Sequence, residues 1–150
     1  AKFADEIKKE STSEIDKNYQ RQYVNFNRGD RFKGFQTNKL ITKIENLIKD
    51  KKSELHLIQC HFPSTLSKND INFLENKKYS FAHIDFDLFK STNDAIKLIF
   101  PRLEKNGIVL FDDYNFINQE GVKKAVRESG LIEKAKCIEL ETGQLLYINY

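Results

Sequence analysis

Four aspartates form two pairs, and each pair follows an apolar run of the sequence. Asp85 and Asp87 come just after residues 79–84, and Asp112 and Asp113 come directly after residues 108–111. In an open α/β sheet, ligands bind beyond the carboxyl ends of the strands, so two neighbouring strands would bring these side chains to one edge. Two carboxylates about 4 Å apart repel by about 4 kcal/mol at an effective dielectric constant of about 20. A bound cation would offset that repulsion, and oxygen ligands suit Mg²⁺, Mn²⁺ or Ca²⁺.

An ordinary structural role would also explain aspartates at these positions. Aspartate after a strand is a common turn former and a common N-cap of the next helix. Asp87 and Asp94 could serve that purpose alone. Shared protons or carboxylates that point apart would equally relieve the repulsion. The spacing therefore leaves a metal site and plain capping both open.

The hydrophobic pattern predicts helices that alternate with strands. A helical stripe begins at Thr37, and a later helix is expected to be capped by Ser91 or Thr92 and to end near Pro101. His83 falls within an apolar run and is expected in the core. Helices are predicted near 37–52, 68–76, 91–103 and 121–128, and strands at 54–60, 79–85, 108–111, 135–141 and 144–149. This order predicts an α/β fold with a mainly parallel sheet and a C-terminal antiparallel hairpin.

Length and composition exclude several classes of protein. The 150 residues suit one domain, and the net charge of +3 does not indicate a nucleic-acid partner. No apolar run approaches the length of a membrane span. Cys60 and Cys137 form no CxxC motif, which argues against a zinc knuckle and for free thiols in a cytoplasmic protein. Residues 1–36 are polar and predicted as a short helix or loop, with a turn at Gly29.

Several segments, in order and at matching spacing, resemble a known enzyme family. They are QCHFPSTL at 59–66, HIDFDLFKST at 83–92, PRL at 101–103, NGIVLFDDY at 106–114 and GVKKAV at 121–126. Together they resemble the macrocin O-methyltransferase family (TylF/MycF type), whose members carry KGWFPDTL, HIDxDLY-x-ST, PRL-x-x-GG, DDY and G-x-x-KAV. The resemblance covers about residues 55–130.

This resemblance implies a class I methyltransferase with a Rossmann-like sheet that uses S-adenosylmethionine and Mg²⁺ or another divalent cation. The substrate would be a hydroxyl of a sugar, a glycan or a glycosylated small molecule. The family's metal ligands correspond to Asp85, Asp112 and Asp113, and Asp85 is also the expected proton acceptor. Cys60, His61 and Phe62 correspond to the segment near the adenine of the cofactor. Asp87 would have a supporting role.

The sequence departs from the family where the cofactor should bind. The glycine-rich loop after the family's first strand is not found in these 150 residues, so residues 1–150 are expected to form a single, partial domain truncated at its N-terminal side. Two alternatives stay open. Asp85 and Asp87 also form a D-x-D motif, as in metal-dependent glycosyltransferases. The second alternative is a non-catalytic module, and its unpaired sheet edges would favour self-association into a homo-oligomer.

Overall fold

The computed structural model describes residues 37–48, 54–116, 120–133 and 136–150, and the predictions made for residues 1–36 lie outside these ranges. None of the described helices is long and apolar enough to cross a membrane. The helices are α1 (Thr37–Ile48), α2 (Lys68–Glu75), α3 (Phe89–Ile99), a 3₁₀ turn (Phe100–Arg102) and α4 (Glu120–Glu128). The strands are β1 (Tyr79–Ile84), β2 (Leu103–Phe111), β3 (Lys136–Glu139) and β4 (Leu145–Ile148).

The four strands form one mixed sheet in the order β1-β2-β4-β3. β1 runs parallel to β2, and the register places Ile84 opposite Phe111. β4 is antiparallel both to β2 and to β3, so the two last strands form the expected C-terminal hairpin. The predicted α/β class, with a parallel crossover followed by an antiparallel hairpin, is confirmed.

One face of the sheet forms the core. Side chains alternate between the two faces of a strand, so Val109 and Phe111 share a face and are both fully buried. Leu145 and Tyr147 of β4 lie opposite them in the register. The core is completed by buried residues of α3 and α4, namely Ala95, Ile96, Val122, Ala125 and Val126. The two helices that follow β1 and β2 therefore cover the same face of the sheet.

Helix α3 begins earlier than the sequence pattern predicts. Its N-cap is Leu88, which uses no side-chain cap, so the predicted cap at Ser91 or Thr92 is wrong. The Thr92 N–H already donates to the Leu88 carbonyl at 3.1 Å, and the Thr92 side chain is fully buried. The apparent capping signature arises inside the helix, where Asp94 pairs with Lys90 at 2.6 Å. The loop between β1 and α3 is consequently short and carries both aspartates of the first pair.

Two predictions about strands are also corrected. Residues 54–60 do not form a strand, and Leu57 is 55% exposed. A strand needs a ladder partner, and none of the described strands pairs with this segment. β2 is longer than the strand predicted at 108–111, because Asn106 and Gly107, whose residue types are typical of a turn, form an irregularity within the strand instead. Asn106 has a φ of 62° there, and a Cβ at Gly107 would lie 2.8 Å from the Glu104 carbonyl oxygen.

Candidate active site

The ends of the two parallel strands bring three aspartates together. Asp85 and Asp87 lie in the loop after β1, and Asp113 lies in the turn after β2. One carboxylate oxygen from each of them lies within 4.8 Å of the others, and we call these three residues the acidic trio. Asp87 and Asp113 are partly buried, whereas Asp85 is exposed. The expected convergence of the two strand ends on one edge is thus observed for Asp85 and Asp113.

Backbone geometry at the strand ends gives the trio its arrangement. Asp87 and Asp113 adopt positive φ angles of 56° and 55°, which are uncommon outside glycine and which aspartate and asparagine tolerate best. The Asp112 N–H donates to the Ile84 carbonyl at 2.9 Å, so the sheet pairing continues to the last residue of β1. The loop after β1 and the turn after β2 therefore begin at neighbouring positions of the sheet edge.

Burial and the neighbouring carboxylates raise the pKa values of Asp113 and Asp85. The pKa of Asp113 is raised to about 7, first by burial, then by a hydrogen bond with Asp87, and then by the negative charges of Asp87, Asp112 and Asp85. The pKa of Asp85 is also raised, mainly by partial burial and by the charge of Asp112. The trio therefore retains a proton near neutral pH, and a divalent cation could replace that proton.

Asp112 lies beside the trio and is held by different partners. Its Oδ1 accepts hydrogen bonds from Gln144 Nε2 at 3.0 Å and from the Asp113 N–H at 3.1 Å. Its Oδ2 lies 3.8 Å from His83 Nε2. The side chain of His83 is 44% exposed, so the expectation of a core histidine is wrong, because this residue points to the sheet face opposite the core. Asp112 is thus in contact with His83 of β1 and with Gln144, the residue that precedes β4.

The segment expected near the cofactor lies next to the acidic loop. The ring of Phe62 stacks on that of Phe86, which separates Asp85 from Asp87, with a centroid distance of 4.8 Å and an interplanar angle of 16°. Ser91 Oγ lies 3.5 Å from the Phe62 carbonyl oxygen. His61 begins a tight turn, in which its N–H donates to Thr65 Oγ1 at 2.7 Å. Phe62 therefore contacts the loop that carries two of the three acids.

A mostly apolar cavity of about 340 Å³ extends from this segment. Cys60 and Phe62 line it on one side, and β1 and α3 contribute the opposite wall. Burial raises the pKa of the Cys60 thiol, as does the charge of Asp70, so the neutral thiol is the stable form. The cavity wall is suited to a flat apolar ring, and Cys60 is suited to packing there rather than to nucleophilic attack.

Comparison with known proteins decides the family. The sequence profile of the macrocin O-methyltransferase (TylF) family matches residues 28–136. The chain belongs to this family. The resemblance identified from the sequence motifs is thereby confirmed, and the acidic trio lies within the matched segment of this TylF-family chain. No curated protein sequence matches the chain closely enough to add a further relative.

Among solved structures, the TylF-family chain is similar to the apo structure of CalS11, a TDP-rhamnose 3′-O-methyltransferase of calicheamicin biosynthesis. The two are 25% identical, with a TM-score of 0.47, and the similarity covers 54% of this chain. The matched part spans 37% of the length of CalS11.

The structure and the resemblance give overlapping sets of candidate metal ligands. Both include Asp85 and Asp113, whereas the resemblance adds Asp112 and the geometry adds Asp87. The resemblance implied a supporting role for Asp87, because this residue matches the second acid of the family's motif. The missing signal was the positive φ at Asp87, which accompanies its position beside Asp113 and cannot be read from residue types.

Proposed function

We propose that this TylF-family chain takes part in O-methylation of a hydroxyl on a sugar or glycosylated small molecule, with S-adenosylmethionine as methyl donor and a divalent cation held by the acidic trio. The observation that carries the proposal is the convergence of Asp85, Asp87 and Asp113 within a segment that matches the family. Family membership supports methyl transfer, and the geometry supports the cation site.

The trio fits a hard divalent cation. Its ligand atoms are all carboxylate oxygens, the donor type that Mg²⁺ and Mn²⁺ prefer. Mg²⁺ is commonly held by one or two carboxylates and keeps water molecules that a substrate hydroxyl can replace. The pKa of Asp113 is raised by burial, by a hydrogen bond with Asp87 and by the charges of the neighbouring carboxylates, which is consistent with a site that favours an added positive charge. We therefore assign Asp85, Asp87 and Asp113 as the proposed ligands.

The proposed chemistry divides between the bound groups and the protein. When bound, S-adenosylmethionine supplies an electrophilic methyl group, and a divalent cation lowers the pKa of a hydroxyl that coordinates to it. Asp85, the exposed member of the trio, is the proposed acceptor of the hydroxyl proton. Asp87 and Asp113 hold their carboxylates beside it through the two left-handed turns. Positioning of the hydroxyl supplies much of the expected acceleration.

The apolar wall around Phe62 is the proposed contact for the adenine of the cofactor. Phe62 and Phe86 form a stacked pair, and Cys60 continues the apolar lining of the adjoining cavity. His61 lies between Cys60 and Phe62 in the sequence and begins the tight turn. Adenine presents a flat apolar face, so these residues can bury it, while the ribose and methionine parts need other contacts. Binding of the adenosyl group is thus a separate experimental question from binding of the cation.

The decisive experiment measures methyl transfer to a panel of nucleotide sugars and glycosylated small molecules. We expect product with Mg²⁺ and none in EDTA. Asp113→Asn should lower the rate more than about a hundredfold, since it removes a charged ligand. Asp94→Asn is the matched control, because this residue is paired with Lys90 and lies outside the trio. Undiminished transfer in EDTA would refute the role of the metal.

Two further variants and one binding assay separate the alternatives. If Asp112→Asn abolishes Mg²⁺ binding and Asp87→Asn does not, the ligand set implied by the resemblance replaces the acidic trio. Calorimetry with S-adenosylhomocysteine and with a UDP-sugar tests the glycosyltransferase alternative, since UDP-sugar binding that requires Asp85 and Asp87 would favour it. Binding of neither compound would favour a non-catalytic module.

A further inference from the structure

The tip of the C-terminal hairpin is joined to the turn after β2. The Asn115 N–H donates to the Gly143 carbonyl at 2.8 Å, and the Asn115 side-chain amide donates to Glu139. The family match ends at residue 136, so these contacts involve a part of the chain to which the match assigns no role. The turn that carries Asp113 is thus held against a hairpin that is distant from it in the sequence.

Gln144 of this hairpin lies beside Asp112 across the sheet. The antiparallel register pairs Phe111 with Leu145, so one step further it brings Asp112 next to Gln144. On the other side of β2, Asp85 follows the last residue of β1. The pKa of Asp85 is raised first by burial and next by the charge of Asp112. Asp112 therefore has an acid on one side and an amide donor on the other.

The side chain of Gln144 is oriented so that it donates to Asp112. Its Oε1 accepts from Thr142 Oγ1 at 3.0 Å, and its Nε2 donates to Asp112 Oδ1 at 3.0 Å. The Asp113 N–H donates to the same Oδ1 at 3.1 Å. Asp112 Oδ2 lies 3.8 Å from His83 Nε2, which is beyond hydrogen-bond distance. The two donors hold Oδ1, and Oδ2 is the oxygen that can bind a cation or accept from a water molecule bound to it.

We propose that Gln144 is a positioning residue for the cation site, because its amide fixes the Asp112 carboxylate beside the acidic trio and leaves Oδ2 available to the cation. This inference rests on the proposed function, since it concerns the same site. A carboxylate that is already held loses little side-chain freedom when a cation binds. Replacing a residue that orients the groups around a metal typically weakens binding by about tenfold to a hundredfold. Gln144 would thus strengthen cation binding without contacting the cation.

Mn²⁺ binding to the complete chain, followed by electron paramagnetic resonance, tests this role. Gln144→Met keeps the length of the side chain but removes the donor, and it should raise the Kd for Mn²⁺ by about tenfold or more. Glu139→Leu is the matched control, because it breaks the hydrogen bond with Asn115 and leaves the pair of Gln144 and Asp112 in place. The control should bind Mn²⁺ as the wild type does. Equal affinity of Gln144→Met and the wild type, or equal losses in both variants, would overturn the inference.

A double-mutant cycle in EDTA tests the contact without a cation. Urea unfolding is measured for the wild type, Gln144→Met, Asp112→Asn and the double variant. Because the hydrogen bond joins an amide to a charged group, the two substitutions should be coupled by about tenfold in the unfolding equilibrium constant. Additive effects would show that Gln144 only fills space, and they would overturn the inference. Coupling together with no Mn²⁺ binding by the wild type would instead refute the proposed cation site and, with it, the positioning role.

Discussion

Replacing Asp113 by asparagine should stabilise the metal-free chain above neutral pH. The pKa of this carboxyl is raised to about 7 by burial and by the neighbouring carboxylates. At pH 8 the folded protein therefore holds an ionised carboxylate in surroundings that disfavour its charge. The difference from an ordinary aspartate pKa corresponds to about 4 kcal/mol at most. Because the carboxyl is partly open to water, we expect about 2 kcal/mol. Asparagine tolerates the φ of 55° and can donate a hydrogen bond to Asp87 as a protonated carboxyl does.

The sign of the pH dependence follows from proton binding. Between about pH 4 and pH 7 the folded state holds a proton on Asp113 that the unfolded state has lost, so the stability of the wild type falls as the pH rises through this window. The Asp113→Asn variant has no such pH-dependent loss of stability. Its advantage in the free energy of unfolding should therefore be about 2 kcal/mol at pH 8 and close to zero at pH 4.

Urea unfolding followed by circular dichroism in EDTA provides the assay. Asp94→Asn serves as the control and should lose about 0.5 kcal/mol, because it breaks a surface ion pair with Lys90. Added Mg²⁺ should stabilise the wild type and not the Asp113 variant, since a ligand of the folded state adds to its stability. An Asp113 variant that is less stable than the wild type at pH 8 would refute the crowding argument and favour a turn-forming role.

Three further changes test the packing and the local geometry, each by urea unfolding. Phe111→Ala should lower the free energy of unfolding by about 3–5 kcal/mol, because Phe111 is fully buried in the core. Ser67→Ala should cost about 1 kcal/mol, since Ser67 and Asp70 form a reciprocal capping box at the start of α2. Gly107→Ala should cost about 1–3 kcal/mol, because the added Cβ would lie 2.8 Å from the Glu104 carbonyl oxygen. Losses below 0.5 kcal/mol would contradict each of these assignments.

Most of the architecture was readable from the hydrophobic pattern. The stripe of α1, the apolar runs of β1 and β2 and the two strands predicted on either side of Gly143 each correspond to an observed element. These features depend on local periodicity and on glycine geometry, which a single sequence displays. The prediction of a strand at residues 54–60 was wrong because a strand also requires a neighbour, and pairing partners are not a property of the segment itself.

The position of the carboxylate cluster was predicted more successfully than its membership, and its role as a metal site stays a prediction. Parallel strands that end in aspartates indicated the shared edge, and Asp85 and Asp113 do meet there. Which third acid joins them depends on side-chain orientation. Asp112 is turned toward Gln144, a contact between residues 32 positions apart in the sequence. Such a long-range hydrogen bond leaves no signature in local spacing, so the membership of Asp87 emerged only from the structure.

Binding of Mn²⁺, followed by electron paramagnetic resonance, tests the central claim most directly. The signal of free Mn²⁺ should fall with a stoichiometry of one ion per chain in the wild type and in Asp94→Asn. It should persist in Asp85→Asn and in Asp113→Asn, each of which removes one carboxylate of the acidic trio. Equal binding by all four proteins would show that the converging carboxylates do not hold a cation.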